Sequence, residues 1–346
     1  MFARPGPTPA SGSGPGPDRG RNPLVKALST SAPRRHGTSP PGTAPVPTAR
    51  RRPRAQPYIL LAPALAVLAL VVGYPLVRLG VISTQGFGLR TLITGKTTSV
   101  GAANYTAILH DGQLVPILVR TVVFAATLVA GTVAAGFGAA LLMVAVGRRL
   151  RTAMMLALLG AWAMPTVAST LVWQWLFQPT YGVVNWLLTQ VRVFGDYRQH
   201  DFLAHPVSGF VVVWLLVVWI SVPFVALTLY AGLTQIPGEY HEAAAIDGAG
   251  YWRRVRTVTL PFLRPVLMLV TVMSVIWDFN VFNQIWILTK GGPDGGTTTI
   301  AIWSFTKAFA SQSYGQGAAI AVFSVLLLAV LAGWGVRQLV AAGEEA

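Results

Sequence analysis

Six long apolar stretches leave this chain few ways to fold. They run from Tyr58 to about Ile82, from Pro116 to about Val146 and from Ala153 to about Phe177. Three more run from Val207 to about Leu233, from Pro265 to about Leu288 and from Gly317 to about Leu339. A helix of about 20 predominantly apolar residues crosses a hydrocarbon core about 30 Å thick. The expected fold is therefore an all-α polytopic membrane protein with six transmembrane helices. Composition agrees: 11% of residues are charged, against about a quarter in a soluble domain. The second stretch is long enough to tilt or to extend beyond the bilayer. Pro63, Pro75, Pro165 and Pro223 fall in or near the spans, where neighbouring helices can satisfy the carbonyl groups they free. Gly131/Ala135 and Ala134/Gly138 are small pairs four apart, the spacing that lets two helices approach closely.

The net charge of +15 first suggests nucleic acid, but its distribution excludes that partner. Ten of the 26 Lys and Arg residues precede Tyr58, and most of the others flank apolar runs rather than forming one basic face. Residues 1–57 are rich in Pro, Gly, Ser, Thr and Arg, with too few apolar side chains to offset the entropy of ordering. They are expected to be a disordered basic cytoplasmic tail, ahead of a transmembrane domain at 58–346. No apolar stretch follows the basic residues within the first 30 positions, so the tail is not a secretory signal. Arg50, Arg51, Arg52, Arg54, Arg148, Arg149, Arg151, Arg253, Arg254, Arg256, Arg264 and Arg337 all fall on one side of the predicted topology. The opposite side holds Arg90, Lys96, Arg192, Arg198, Lys290 and Lys307. Positive charge favours the cytoplasm, so both termini are expected inside.

Several chemistries drop out. Without cysteine there is no disulfide scaffold, thiolate metal site or cysteine nucleophile. No two of His36, His110, His200, His205 and His241 show the spacing of a helical metal pair. Gly95-Lys96-Thr97 imitates the end of a phosphate-binding loop, but Arg90 stands where the pattern needs glycine. No convergent set of nucleophile, base and metal ligands appears, so neither enzyme activity nor a cofactor is expected in this chain.

The connection between the fourth and fifth stretches, 234–264, carries the most information. Pro237 suits a first helical turn, Glu239 and Glu242 favour its positive end, and Ala243, Ala244 and Ala245 propagate it. Gly248 can take the left-handed conformation that ends such a helix. A second helix is expected to start near Tyr251 and to be limited by Pro261. The predicted result is a helix-turn-helix at the cytoplasmic membrane surface.

This loop closely resembles the signature of ABC-importer permeases. Glu242-Ala243-Ala244, Gly248, Val258 and Leu260-Pro261 keep the spacing of that pattern, with Val258 where the family has isoleucine. Ile236-Pro237 and Ile246-Asp247 resemble the family too. In that family the loop docks on a cytoplasmic ATPase. The resemblance therefore assigns coupling to Glu242, Ala243, Ala244, Asp247, Gly248, Leu260 and Pro261. Asn104-Tyr105, Tyr181-Gly182-Val183-Val184-Asn185, Leu288-Thr289-Lys290-Gly291-Gly292-Pro293 and Tyr314-Gly315 resemble the maltose-type sugar branch. Together these motifs cover about residues 58–340. The implied complex sits in a bacterial cell membrane. It adds a second homologous permease, two ATPase subunits that hydrolyse the ATP, and an external substrate-binding protein.

The fifth stretch is unusually polar around Trp277-Asp278-Phe279-Asn280-Val281-Phe282-Asn283-Gln284. On a continuous helix Asn280, Asn283 and Gln284 share an arc about 100° wide. Asp278 points away from it, toward a separate partner. Such amides either bond neighbouring helices or line a wet path, where they can donate to and accept from sugar hydroxyls. Trp277 offers an apolar face to a sugar ring. The rival is an ion-coupled secondary transporter, which needs internal repeats and ion-coupling groups at the midplane. Asp278 is the only acidic residue inside a predicted span.

Overall fold

A computed structural model describes residues 56–191 and 195–344. Residues 1–55 of the expected tail lie outside them. Residues Leu61–Ala346 group as one unit that holds the body of the helical fold. Four of the expected spans are continuous helices close to their predicted limits: the first at Ile59–Ser83, the second at Leu114–Ala145, the fourth at Pro206–Leu233 and the sixth at Tyr314–Ala341.

The third span departs from expectation. It consists of two helices, Arg148–Trp162 and Thr166–Leu176, bent by 98° at the break between them. Pro165 is the cause. It has no N–H to continue the ladder and disfavours helical backbone at Met164, and its own backbone is extended (ψ 134°).

The fifth span departs at both ends. Pro261 was expected to limit the loop's second helix, and Pro265 to open the span. Instead one helical rod runs over Tyr251–Asp278, through both prolines. A wider π-helical stretch at Val255–Thr259 precedes Pro261, and the Leu260 N–H reaches back to Val255 O. This wider turn accommodates the pyrrolidine ring that a tight turn would meet. At the other end the rod stops at Asp278, ten residues before the predicted limit at Leu288. A break follows, and then the short helix Asn283–Leu288. Asp278, Asn280 and Asn283 favour caps and turns over helix interiors, and they outweigh the apolar character of the stretch.

The second and fourth spans form the centre. Phe124 and Leu128 bury against Val212, Val213 and Leu216. Farther along, Ala140 meets Val225 and Leu229, and Val270 of the fifth span joins them. Glycine permits this approach. A Cβ at Gly131 would lie 2.2 Å from Trp214 Cζ2, and one at Gly136 would lie 2.6 Å from Val225 Cγ1. Trp214 is then held by its Nε1–H, which donates to Thr127 O at 3.0 Å. The expected pair Ala134/Gly138 does not act this way, because nothing lies within 4 Å of a Cβ built at Gly138. Arg151 ties the third span to the second by donating to Met143 O and Val146 O, carbonyls at the end of that helix.

Polar contacts fix the other end of the bundle. Asn104 donates to Ser83 O and Gln85 O, both at 2.9 Å. Arg120 donates to Gly295 O and Thr298 O. Lys307 Nζ lies 3.1 Å from Asp111 Oδ2. The Gln113 N–H, chiefly, holds the Asp111 carboxyl below its ordinary range; burial opposes it, and Lys307 adds to the lowering. Gly95 of the false phosphate loop ends the short helix Leu89–Thr94, with φ +67°.

Overpacking in a well-filled helix interface costs roughly 1–3 kcal/mol. Gly131→Val should therefore lower the melting temperature of the detergent-purified chain by several degrees, while Gly138→Ala leaves it unchanged. Thermal unfolding followed by tryptophan fluorescence checks this, and equal stability of both variants contradicts the assigned packing.

Candidate coupling loop and membrane cavity

The first half of the loop between the fourth and fifth spans is built as its sequence suggests. Its first helix covers Gly238–Ile246, with Pro237 just ahead of it and Glu239 in the first turn. It ends in left-handed backbone at Gly248, φ +75°. The Gly248 N–H reaches Ala245 O, and the Ala249 N–H reaches Ala244 O, so the last carbonyls of the helix are paired. Nothing lies within 4 Å of a Cβ at Gly248. Glycine is favoured there by backbone geometry alone, not by crowding. Tyr240 packs on Phe262 with centroids 4.8 Å apart, which fastens this helix to the fifth rod.

Glu242, Ala243, Asp247 and Gly248 are exposed together on this knob, beside Ile246 at 87% exposure. Ala244 is half-buried behind them. Leu260 and Pro261 sit elsewhere, within the fifth rod directly after its π-helical stretch. The seven residues thus occupy an exposed knob and the first half of the fifth rod. The second loop helix is the start of the fifth span, and only the short turn at 247–250 separates it from the knob helix.

At the far end of that rod lies a cavity of about 460 Å³. Trp277, Asp278, Asn280, Asn283 and Gln284 all line it. They are brought together by the break after Asp278, not by one helical arc. Asp278 lines the cavity with the amides instead of facing away from them. It is 4% exposed, and its Oδ2 has no hydrogen-bond partner among the described residues, so the expected separate partner is absent there. Trp162, Thr166, Ser221 and Phe224 add polar and aromatic groups to the walls. Phe224 meets Trp277 edge-on at 5.1 Å. These four were not anticipated. The available signal was Pro165, which places Trp162 and Thr166 on either side of the bend, and the hydroxyl of Ser221 between Ile220 and Val222 in the middle of an apolar helix.

Irregular backbone at membrane depth is tolerated where it is buried in protein or borders water. Both broken spans border this one cavity. It presents amides, two hydroxyls, a carboxyl and aromatic faces, the groups that hold a polar solute with apolar ring faces.

Residues 128–342 match the family described as the binding-protein-dependent transport system inner membrane component. The chain belongs to this family. It is a multi-pass inner-membrane permease subunit of an ABC importer, and the matched segment contains both the loop and the cavity. The permease is 42% identical to the diacetylchitobiose uptake system permease protein DasB of Streptomyces coelicolor, over 84% of this chain and 88% of that protein. It is 32% identical to the trehalose/maltose transport system permease protein MalF of Thermococcus litoralis, over 78% and 89%. A solved bacterial ABC transporter involved in import of the acidic polysaccharide alginate shares the fold. Its TM-score is 0.69 at 17% identity, over 83% of this chain and 95% of that one.

The absence of cysteine permits a direct test of the cavity. Single cysteines at Ser221, Asn280 and Asn283 should react with a charged, membrane-impermeant thiol reagent in the purified permease. A cysteine at Leu216, which is fully buried, should not. Protection of all three cavity positions would show that the space is dry and closed.

Proposed function

We propose that this permease carries a neutral or amino sugar, delivered by an external binding protein, across the membrane through the cavity at the end of the fifth rod. The observation that carries this reading is the lining itself: Asn280, Asn283, Gln284 and Ser221 beside Trp162, Phe224 and Trp277. Amides and hydroxyls match a sugar's hydroxyl groups in both donor and acceptor roles. Aromatic faces match the apolar face of its ring. The naming of relatives for diacetylchitobiose and for trehalose and maltose supports the same substrate class.

The working assembly adds a second homologous permease and two cytoplasmic ATPase subunits. Those subunits bind and hydrolyse ATP; this chain has no ATPase site and needs no cofactor. Glu242, Ala243, Ala244, Asp247 and Gly248 dock on one ATPase, and Leu260 and Pro261 pass its movement into the fifth rod. ATP shifts the permease pair between outward- and inward-facing states because it binds the two states differently. Both termini face the cytoplasm, in keeping with the arginine bias. Residues 1–57 form a tail separate from the transport domain at 58–346.

Uptake of labelled disaccharides by cells carrying the complete importer tests these roles. Asn283→Ala and Gln284→Ala should reduce uptake several-fold or change sugar preference at unchanged membrane abundance. Gly248→Asp should abolish uptake, also at unchanged abundance. A chain starting near Arg51 should transport normally. Normal kinetics in both amide variants across the sugars tested would remove the cavity from the path, and normal uptake with Gly248→Asp would remove the loop from coupling.

A further inference from the structure

A second cavity, of about 860 Å³, opens between the fifth and sixth spans. The two helices touch where Gly335 faces Val272, since a Cβ there would lie 2.8 Å from Val272 Cγ2. Around that contact the walls are apolar, with Leu267, Met268 and Val275 on one side and Leu331 and Trp334 on the other. Trp334 is 66% exposed at the rim. The only charged side chains lining the cavity are Arg256 and Arg264, both at one end. Arg264 already has a partner of its own, so it contributes charge rather than vacant donors. The Arg256 side chain makes no hydrogen bond or ion pair among the described residues.

We infer that this groove holds an anionic phospholipid, with its phosphate on Arg256 and its acyl chains along the fifth rod. An unfilled apolar groove forfeits dispersion contacts on its lining, and water does not replace them. A phospholipid supplies both the apolar filling and the missing anion. The stretch from Arg264 to Val275 runs about 16 Å at ~1.5 Å per residue, close to the ~15 Å of one hydrocarbon leaflet, and Arg256 lies about 12 Å farther along the rod, on the head-group side of that stretch. The orientation proposed above places the arginine end at the cytoplasmic face, where anionic lipid meets basic groups. A neutral lipid would fill the groove but leave the guanidinium unmatched. The site is separate from the sugar cavity, since the two share no lining residue.

The full-length permease in nanodiscs of phosphatidylcholine tests this inference. One set contains a trace of phosphatidylglycerol with a photoreactive acyl chain, and the other a trace of equally photoreactive phosphatidylcholine. Phosphatidylglycerol should label peptides from 260–275 and 331–338 in preference to phosphatidylcholine. Arg256→Gln should lower that preference about fivefold, the factor for one guanidinium at an anionic surface. Ala332→Phe fills the groove without changing charge and should abolish labelling by both lipids. Equal labelling by the two lipids, or undiminished preference in Arg256→Gln, overturns the inference. So does loss of labelling when a second permease is co-purified, because a helix of that subunit then covers the groove.

Discussion

Backbone that leaves the helix inside a membrane must find new partners for its freed N–H and C=O groups, and this requirement organises the permease. The chain departs from regular helix at the Trp162–Thr166 bend and again after Asp278. Both departures border one cavity lined by amides, a carboxyl and aromatic rings. Elsewhere the interior is ordinary helix packing, closed by Gly131 against Trp214 and Gly136 against Val225. The tightly packed second and fourth spans supply a fixed wall. Against it, the broken third span and the end of the fifth expose polar groups at a depth where uninterrupted helices would present only side chains.

The fifth rod gives this arrangement its reach. One helix leads from the Gly248 turn, past the π-helical stretch at Val255–Thr259, to the cavity edge at Asp278. Twenty-eight residues of helix at ~1.5 Å each span roughly 40 Å. Such a rod can carry displacement from the loop end to the cavity without a chain of intermediate contacts. The π-helical stretch is its one irregular turn, and Pro261 follows directly. The signature residues Leu260 and Pro261 therefore mark the place where the rod changes its winding, while Glu242 to Gly248 form the part that another protein can touch.

Much of this was legible in the sequence because the signals were physical and local. Four apolar stretches became continuous helices, and Gly248 took the left-handed backbone that its place after Asp247 suggested. Three features were harder to read. Pro165 and Pro261 look alike as punctuation, yet one bends its span by 98° and the other lies within a continuous helix. The difference is the wider turn ahead of Pro261, which depends on backbone pairing rather than on residue type. The polar run after Trp277 stood out in the sequence and lines the cavity, but its arc assumed a helix that Asp278 and the asparagines interrupt. Trp162, Thr166, Ser221 and Phe224 were missed because they come together at the cavity only when separate spans meet.

The central claim is that the fifth rod moves as one piece between the ATPase-facing loop and the cavity. Paired spin labels in the cysteine-free permease can measure it by pulsed electron resonance in the assembled importer, with and without trapped ATP. One pair joins Trp252 to Val275 within the rod, and the other joins Val275 to Leu215 on the fourth span. Rigid transmission predicts an unchanged distance within the rod and an altered distance to the fourth span when ATP is trapped. A shortened distance within the rod, with the cavity end stationary, would show that the π-helical stretch absorbs the motion and would contradict the claim.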